Sequence, residues 1–349
     1  MKRWFFPIVN AMVFVMLFAV IGYYLFDIGR WALVGLVIGL GAGLAVEFGL
    51  GALGGWIYRR RITLAVLVEI VLIIAFVGPF IVIYAQTTPQ HYAVCCIEDS
   101  GLGNRVEAVK IPVADGETLA GWYAPPEDET GAVVIVLHGS QGNRKGSLDH
   151  ARVLHDAGYG VLVYDQRASG ESTGERQSIG LYDRRDITPI INWLAARPEV
   201  DSERIGGVGL SLGAHILVMA GPDEPRLKAI WADGLGISAV DDFPPHEGLA
   251  GTFIAFINQQ AIWLGGLYLG EHPVAFKTLI PQIAPRHLML ITGALAPYEP
   301  IINRAYESFL GENGALWVVE NAGHIGGLYQ NRETYTARMI AFFDEALRR

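Results

Sequence analysis

The chain has 349 residues, of which 52% are hydrophobic and only 17% charged, and its mean hydropathy of +0.33 is too high for an ordinary soluble enzyme. A formal net charge of -9, with no basic patch after residue 61, argues against a nucleic-acid partner. The two cysteines, Cys95 and Cys96, are adjacent, so they offer neither a disulfide framework nor a cysteine-built zinc site, and they read as two unpaired thiols.

The apolar excess sits at the N-terminus. Runs at about 4–26, 31–58 and 62–84 each exceed the roughly 20 residues a helix needs to cross a bilayer. The first lacks a small-residue cleavage site and two further runs follow it, so it reads as retained rather than as a signal peptide. Residues 1–86 are therefore expected to form an anchor of three transmembrane helices. Lys2 and Arg3 precede the first run, and Arg59, Arg60 and Arg61 fill the second loop. The positive-inside rule then places the N-terminus in the cytoplasm and everything after about residue 86 outside it. In the second run Gly35, Gly39, Gly43, Gly51 and Gly55 share one helix face with Glu47, a groove for a helix–helix partner. Glu69 is a second acid in an apolar run. Both acids are expected to face a bundle interior or to be protonated, because ionised carboxylates are costly in lipid.

Residues 87–104 are polar and mixed, and read as a linker. Strands are expected near 106–111, 119–123, 132–137, 160–164, 227–232, 288–292 and 316–319, together with one leading to Ser211. Helices are expected at 147–157, 181–196, from Ser211 to about 220, and 333–347. Alternation of this kind implies a mainly parallel sheet with helices on both faces. Residues 205–214, IGGVGLSLGA, form a strand, a tight turn and a helix start, with Ser211 flanked by Gly209 and Gly213. This is the G-x-S-x-G arrangement that lifts a serine hydroxyl off a sheet edge and aims helix N–H groups at a developing negative charge.

From about residue 105 to the C-terminus the chain resembles an α/β-hydrolase. The resemblance rests on four features in order: His138-Gly139 after an early strand, Asp165-x-Arg167-x-x-Gly170-x-Ser172 after the next, Gly209-Leu210-Ser211-Leu212-Gly213, and Ala322-Gly323-His324. The apolar prefix makes it similar to membrane-anchored members that cleave acyl esters, lipids among them. The resemblance implies an eight-stranded type of sheet, Ser211 as nucleophile and His324 as general base. It also implies an oxyanion hole from the N–H groups of Leu212 and of Ser140 or Gln141. His138 is expected to hold that loop, His215 to serve packing, and Asp165 and Arg167 to brace neighbouring loops.

The triad acid departs from the pattern. Ala296 stands where an Asp is expected after the seventh strand. Glu299 is the nearest replacement, Asp233 at the end of the sixth strand is the next candidate, and a crippled site is the remaining alternative. The stretch at about 237–284 is an insertion whose residues 249–270 carry no charge. It reads as an apolar cap that favours an acyl or aromatic substrate and touches the bilayer surface. The expected function is a membrane-anchored serine esterase or lipase facing the extracytoplasmic side. A serine peptidase of the same fold, and a catalytically impaired binding module, are the competing readings. No metal, nucleotide or flavin motif is visible, so no cofactor is expected.

Overall fold

The computed structural model describes residues 83–84, 87–243 and 248–348, apart from the side chains of 249–251, 253–254 and 257–258. The three apolar runs, the glycine-striped face and the acids Glu47 and Glu69 lie outside the described residues, save Ile83 and Tyr84. No helix among the described residues is long and apolar enough to cross a membrane.

One unit, Ala85–His246 with Glu271–Arg349, carries an eight-stranded sheet. Its strands are β1 (Glu107–Pro112), β2 (Thr118–Ala124), β3 (Val133–Leu137), β4 (Gly160–Tyr164), β5 (Ile205–Leu210), β6 (Leu227–Asp233), β7 (His287–Gly293) and β8 (Gly314–Val319). Their spatial order is β1-β2-β4-β3-β5-β6-β7-β8. The β1–β2 and β2–β4 pairs are antiparallel and every other pair is parallel.

The central strands β3 and β4, VVIVL and GVLVY, are buried along their whole length. Such unbroken apolar runs are what a sheet covered on both faces requires. Alternate residues serve opposite cores. Val133, Ile135 and Leu137 pack with helices α2 (Ile187–Ala195) and α3 (Leu212–Ala220). Val134 and Val136 pack with α1 (Leu148–Asp156) and with the C-terminal helix at Arg332–Leu347. The period of two along each strand thus sorts the side chains into two cores.

Two expected elements differ in the structure. The helix expected at 181–196 begins only at Ile187, after a 3₁₀ turn at Asp183–Asp186. The Asp183 carboxylate is engaged instead in holding the loop before it, where it accepts from the backbone N–H groups of Ser178 and Gly180. Residues 87–104, expected as a linker, lie on the sheet-bearing unit. Tyr92 N–H donates to Gly170 O, Gln177 N–H to Thr87 O, and Val94 and Leu102 join the second core.

The other unit is Met1–Tyr84 with Glu247–Gly270. Within it, the uncharged stretch expected as a cap forms helix α4 (Gly248–Leu269). Its Leu264 and Tyr268 bury against Ile83, while Trp263 and Leu267 are exposed.

Candidate active site

The turn between β5 and α3 carries Ser211 with φ 52° and ψ −109°, a left-handed conformation that a non-glycine residue adopts only when its surroundings impose it. Here they do. A Cβ at Gly209 would lie 2.4 Å from the backbone of Gly213 and Ala214, and one at Gly213 would lie 2.6 Å from Leu137 Cβ. Side chains at either position would force the elbow open. Ser211 N–H donates to Asp233 O at 2.8 Å, which ties the turn to the end of β6.

His324 lies on the loop after β8. Its Nδ1 stands 2.5 Å from Glu299 Oε2. A carboxylate can only accept, so Nδ1 carries the proton and Nε2 is left as the acceptor a general base needs. The Glu299 hydrogen bond holds the imidazole pKa above its ordinary 6.5, against the opposing effect of burial. Glu299 is the first residue of helix α5 (Glu299–Glu307), directly after Tyr298 at φ 63°. That helix is fastened to the loop after β6: Asn303 Nδ2 donates to Leu235 O at 2.7 Å, and the Tyr306 hydroxyl to Gly236 O at 2.9 Å. Neither residue was singled out from the sequence, where an Asn and a Tyr on an amphipathic helix carry no distinguishing signal.

Ser211, His324 and Glu299 line one cavity of about 290 Å³, together with Ser140, Ile179, Leu212, His215, Gly234, Gly236, Pro297 and Ile302. The structure therefore brings together Ser211, His324, Glu299, Leu212 and Ser140. Gln141, at φ 59°, is not among the lining residues. His138 lies beneath the loop that bears Ser140. Its Nδ1–H donates to Gly139 O at 2.7 Å and its Nε2 accepts from Gln166 N–H at 3.0 Å. Burial lowers its pKa, keeping the ring neutral for both bonds.

His215, one helical turn beyond Ser211, accepts from Gly236 N–H at 3.1 Å. Burial pushes its pKa down to about 4, and the nearby His324 acts in the same direction. It lines the cavity as a neutral ring rather than serving packing alone.

Asp233, the second candidate acid, is buried and does not line the cavity. Its Oδ2 accepts from the Tyr335 hydroxyl at 2.6 Å, and that oxygen accepts from Trp231 Nε1–H at 2.8 Å. Burial pushes its carboxyl up to about 7. Asp165 and Arg167 are also outside the cavity lining. Asp165 receives the N–H groups of Arg144 and Glu171, and Arg167 forks onto Asp186 and reaches Asp115. Ala296 is buried in a turn, its N–H on Gly293 O. Among the described residues no group of three or more His, Cys, Asp and Glu side chains is placed to hold a metal ion.

Comparison with known proteins gives a consistent frame. A family model described as X-Pro dipeptidyl-peptidase (S15 family) matches residues 115–252, a stretch that contains Ser211 and ends before Glu299 and His324. The uncharacterized protein YfhR of Escherichia coli (strain K12) is 26% identical over 251 residues, covering 69% of this chain and 81% of that protein. An esterase of Pyrococcus furiosus superposes with a TM-score of 0.58 at 22% identity, over 74% of this chain and 99% of the esterase. The α/β hydrolase GrgF of Penicillium sp. sh18 superposes with a TM-score of 0.56 at 19% identity, over 70% and 99%. At such identities the likeness is one of fold.

Proposed function

We propose that this chain, with the fold of the α/β-hydrolases, is a serine hydrolase of that family that cleaves carboxylic esters through an acyl-enzyme. Ser211 attacks the acyl carbonyl while His324 Nε2 takes its proton. The N–H groups of Leu212 and Ser140 hold the oxyanion, and His324 then gives the proton to the departing alcohol. Water repeats the sequence on the acyl-enzyme. Glu299 keeps the imidazole in the required tautomer and stabilises its cationic form. The observation that carries this reading is the 2.5 Å hydrogen bond from His324 Nδ1 to Glu299 in a cavity that Ser211 shares. The same bond weighs against an impaired module, since an acid stands behind the histidine despite Ala296.

The S15 match supports a second reading, cleavage of short peptides. Against it, Glu299 is the sole carboxylate in the cavity lining among the described residues, and His324 already engages it, so none of those residues offers a spare acid to a peptide's amino terminus. The lining is otherwise largely apolar, with Ile179, Leu212, Pro297 and Ile302. Anchoring by three transmembrane helices, with the N-terminus cytoplasmic and the hydrolase domain on the far side, is part of the proposal. It rests on the apolar runs and the flanking cations of the sequence.

A fluorophosphonate probe tests the mechanism. Full-length protein in detergent is expected to label, and Ser211→Ala to remain unlabelled. Unlabelled wild-type protein overturns the proposal. Hydrolysis of nitrophenyl acyl esters, set against aminoacyl nitroanilides, separates the ester reading from the peptide one.

A further inference from the structure

Among the residues lining the cavity, Ser211 shares its positive φ with a second non-glycine residue. Ile179 has φ 54°. A β-branched side chain in the left-handed region is a steric outlier, and such residues persist only where neighbouring structure over-determines them. The neighbours of Ile179 do this from both sides. The buried Asp183 carboxylate accepts from Ser178 N–H at 2.9 Å and from Gly180 N–H at 3.1 Å. Ser178 Oγ accepts in turn from the N–H groups of Tyr182 at 2.6 Å and Asp183 at 3.0 Å. Gly180, itself at φ 91°, lies against α3: a Cβ there would stand 2.9 Å from Met219 Sδ. The loop thus holds an unfavourable rotation at one residue, and that residue's side chain forms part of the cavity wall.

The chemistry of the proposed reaction says which part of a substrate meets this wall. The leaving oxygen must take its proton from His324, so the alcohol portion lies on the His324 side. Ile179 and Leu212 line the cavity, and Gly180, next to Ile179, packs on the elbow helix α3; the proposed reaction leaves this wall to the acyl portion. The cavity of about 290 Å³ is at the small end of ligand sites, which begin at about 300 Å³ for drug-sized molecules.

We infer that Ile179 is a specificity-determining residue that closes the acyl side of the cavity and restricts the enzyme to short acyl groups. This inference rests on the ester-hydrolase reading above. Glycine accepts the left-handed rotation without strain, so Ile179→Gly removes the wall while leaving the loop's hydrogen bonds available. Ile179→Ala removes most of the side chain and keeps the backbone restriction.

The test is a series of nitrophenyl esters with a constant leaving group, from acetate through butyrate to octanoate and palmitate. It uses the full-length chain and both variants, with thermal unfolding of each measured in parallel. A single methylene too many for an apolar pocket is discriminated by about tenfold or more. The wild type is therefore expected to lose at least tenfold in kcat/KM from butyrate to octanoate. Ile179→Gly is expected to raise the octanoate-to-butyrate ratio by about tenfold or more, with Ile179→Ala moving it the same way. Unchanged ratios in variants that still unfold cooperatively and still take the fluorophosphonate label overturn the inference and leave the ester reading standing. A wild type that neither labels nor cleaves any ester removes the reading and the inference together.

Discussion

Glu299 meets the imidazole of His324 at 2.5 Å from a position three residues beyond the buried Ala296. The displacement has a backbone cause. Ala294 N–H donates to Val319 O and Leu295 N–H to Ala322 O, so the chain leaving β7 runs alongside β8 before it turns. Tyr298, at φ 63°, then starts α5, and Glu299 opens that helix facing the histidine. Glu299→Gln preserves the shape but favours the wrong tautomer, because its amide can donate to Nδ1. A loss of roughly 10³–10⁴ in kcat is expected, the scale seen when a triad acid is replaced by its amide. Burst kinetics with a nitrophenyl ester measure it.

On the proposed mechanism, the same pair sets the pH profile. His324 must be neutral to act as a base, and Glu299 raises its pKa above 6.5. Activity is therefore expected to rise with pH through a midpoint above 6.5, and the midpoint is expected to fall in Glu299→Gln. The stability contribution has the opposite sign. A raised histidine pKa stabilises the fold fully below the unfolded value of 6.5, and that contribution is lost as pH rises through the folded value. Thermal melts should accordingly show the largest cost of Glu299→Gln at mildly acid pH and a smaller one under alkaline conditions.

The strands and the serine elbow were legible because each depends on local pattern. The runs VVIVL and GVLVY, short, valine-rich and unbroken, favour buried strands, and G-x-S-x-G can fold tightly only with both glycines in place. The acid was half legible: Glu299 could be named as the nearest carboxylate, but the turn that delivers it depends on pairing between β7 and β8. What was not legible depends on distant partners. Asp183 looks like part of a helix until Ser178 and Gly180 are seen to occupy its carboxylate. Residues 87–104 look like a linker because the bonds from Tyr92 to Gly170 and from Gln177 to Thr87 are made by backbone atoms, which leave no trace in side-chain pattern. The left-handed rotation at Ile179 runs against that residue's own preference.

Asp242 fastens the two ends of the insertion. It is buried, and its carboxylate accepts from the N–H groups of Ser238 at 3.0 Å and Ala239 at 3.2 Å on the outgoing side. On the returning side it accepts from Phe276 at 3.0 Å and Lys277 at 3.2 Å. Replacing it by Ala leaves four N–H groups without their acceptor. At about 1–3 kcal/mol for each buried donor left unpaired, and allowing for water reaching some of them, a loss of about 3 kcal/mol or more is expected. Urea denaturation measures it. Asn, which retains one acceptor oxygen, should recover part of the loss.

Asp233 offers a separate test, because its role is set by burial rather than by the reaction. Its carboxyl is pushed from 3.8 up to about 7, mainly by burial, with the charge of Glu299 acting the same way and Tyr335 and His324 opposing. Between those two values the folded protein keeps a proton that the unfolded chain has released. Folding then binds a proton, so this group's contribution to stability falls steadily as pH rises from about 4 to 7. Asn carries no charge to bury and still presents an oxygen to the Tyr335 hydroxyl. The melting temperature of Asp233→Asn relative to wild type is therefore expected to climb across that interval and to level off above it. Since Asp233 lies outside the cavity lining, fluorophosphonate labelling of Ser211 should persist in the variant. A difference that stays flat from pH 4 to 7 would mean that the carboxylate is ionised in the folded state, with Tyr335 and His324 outweighing the cost of its burial.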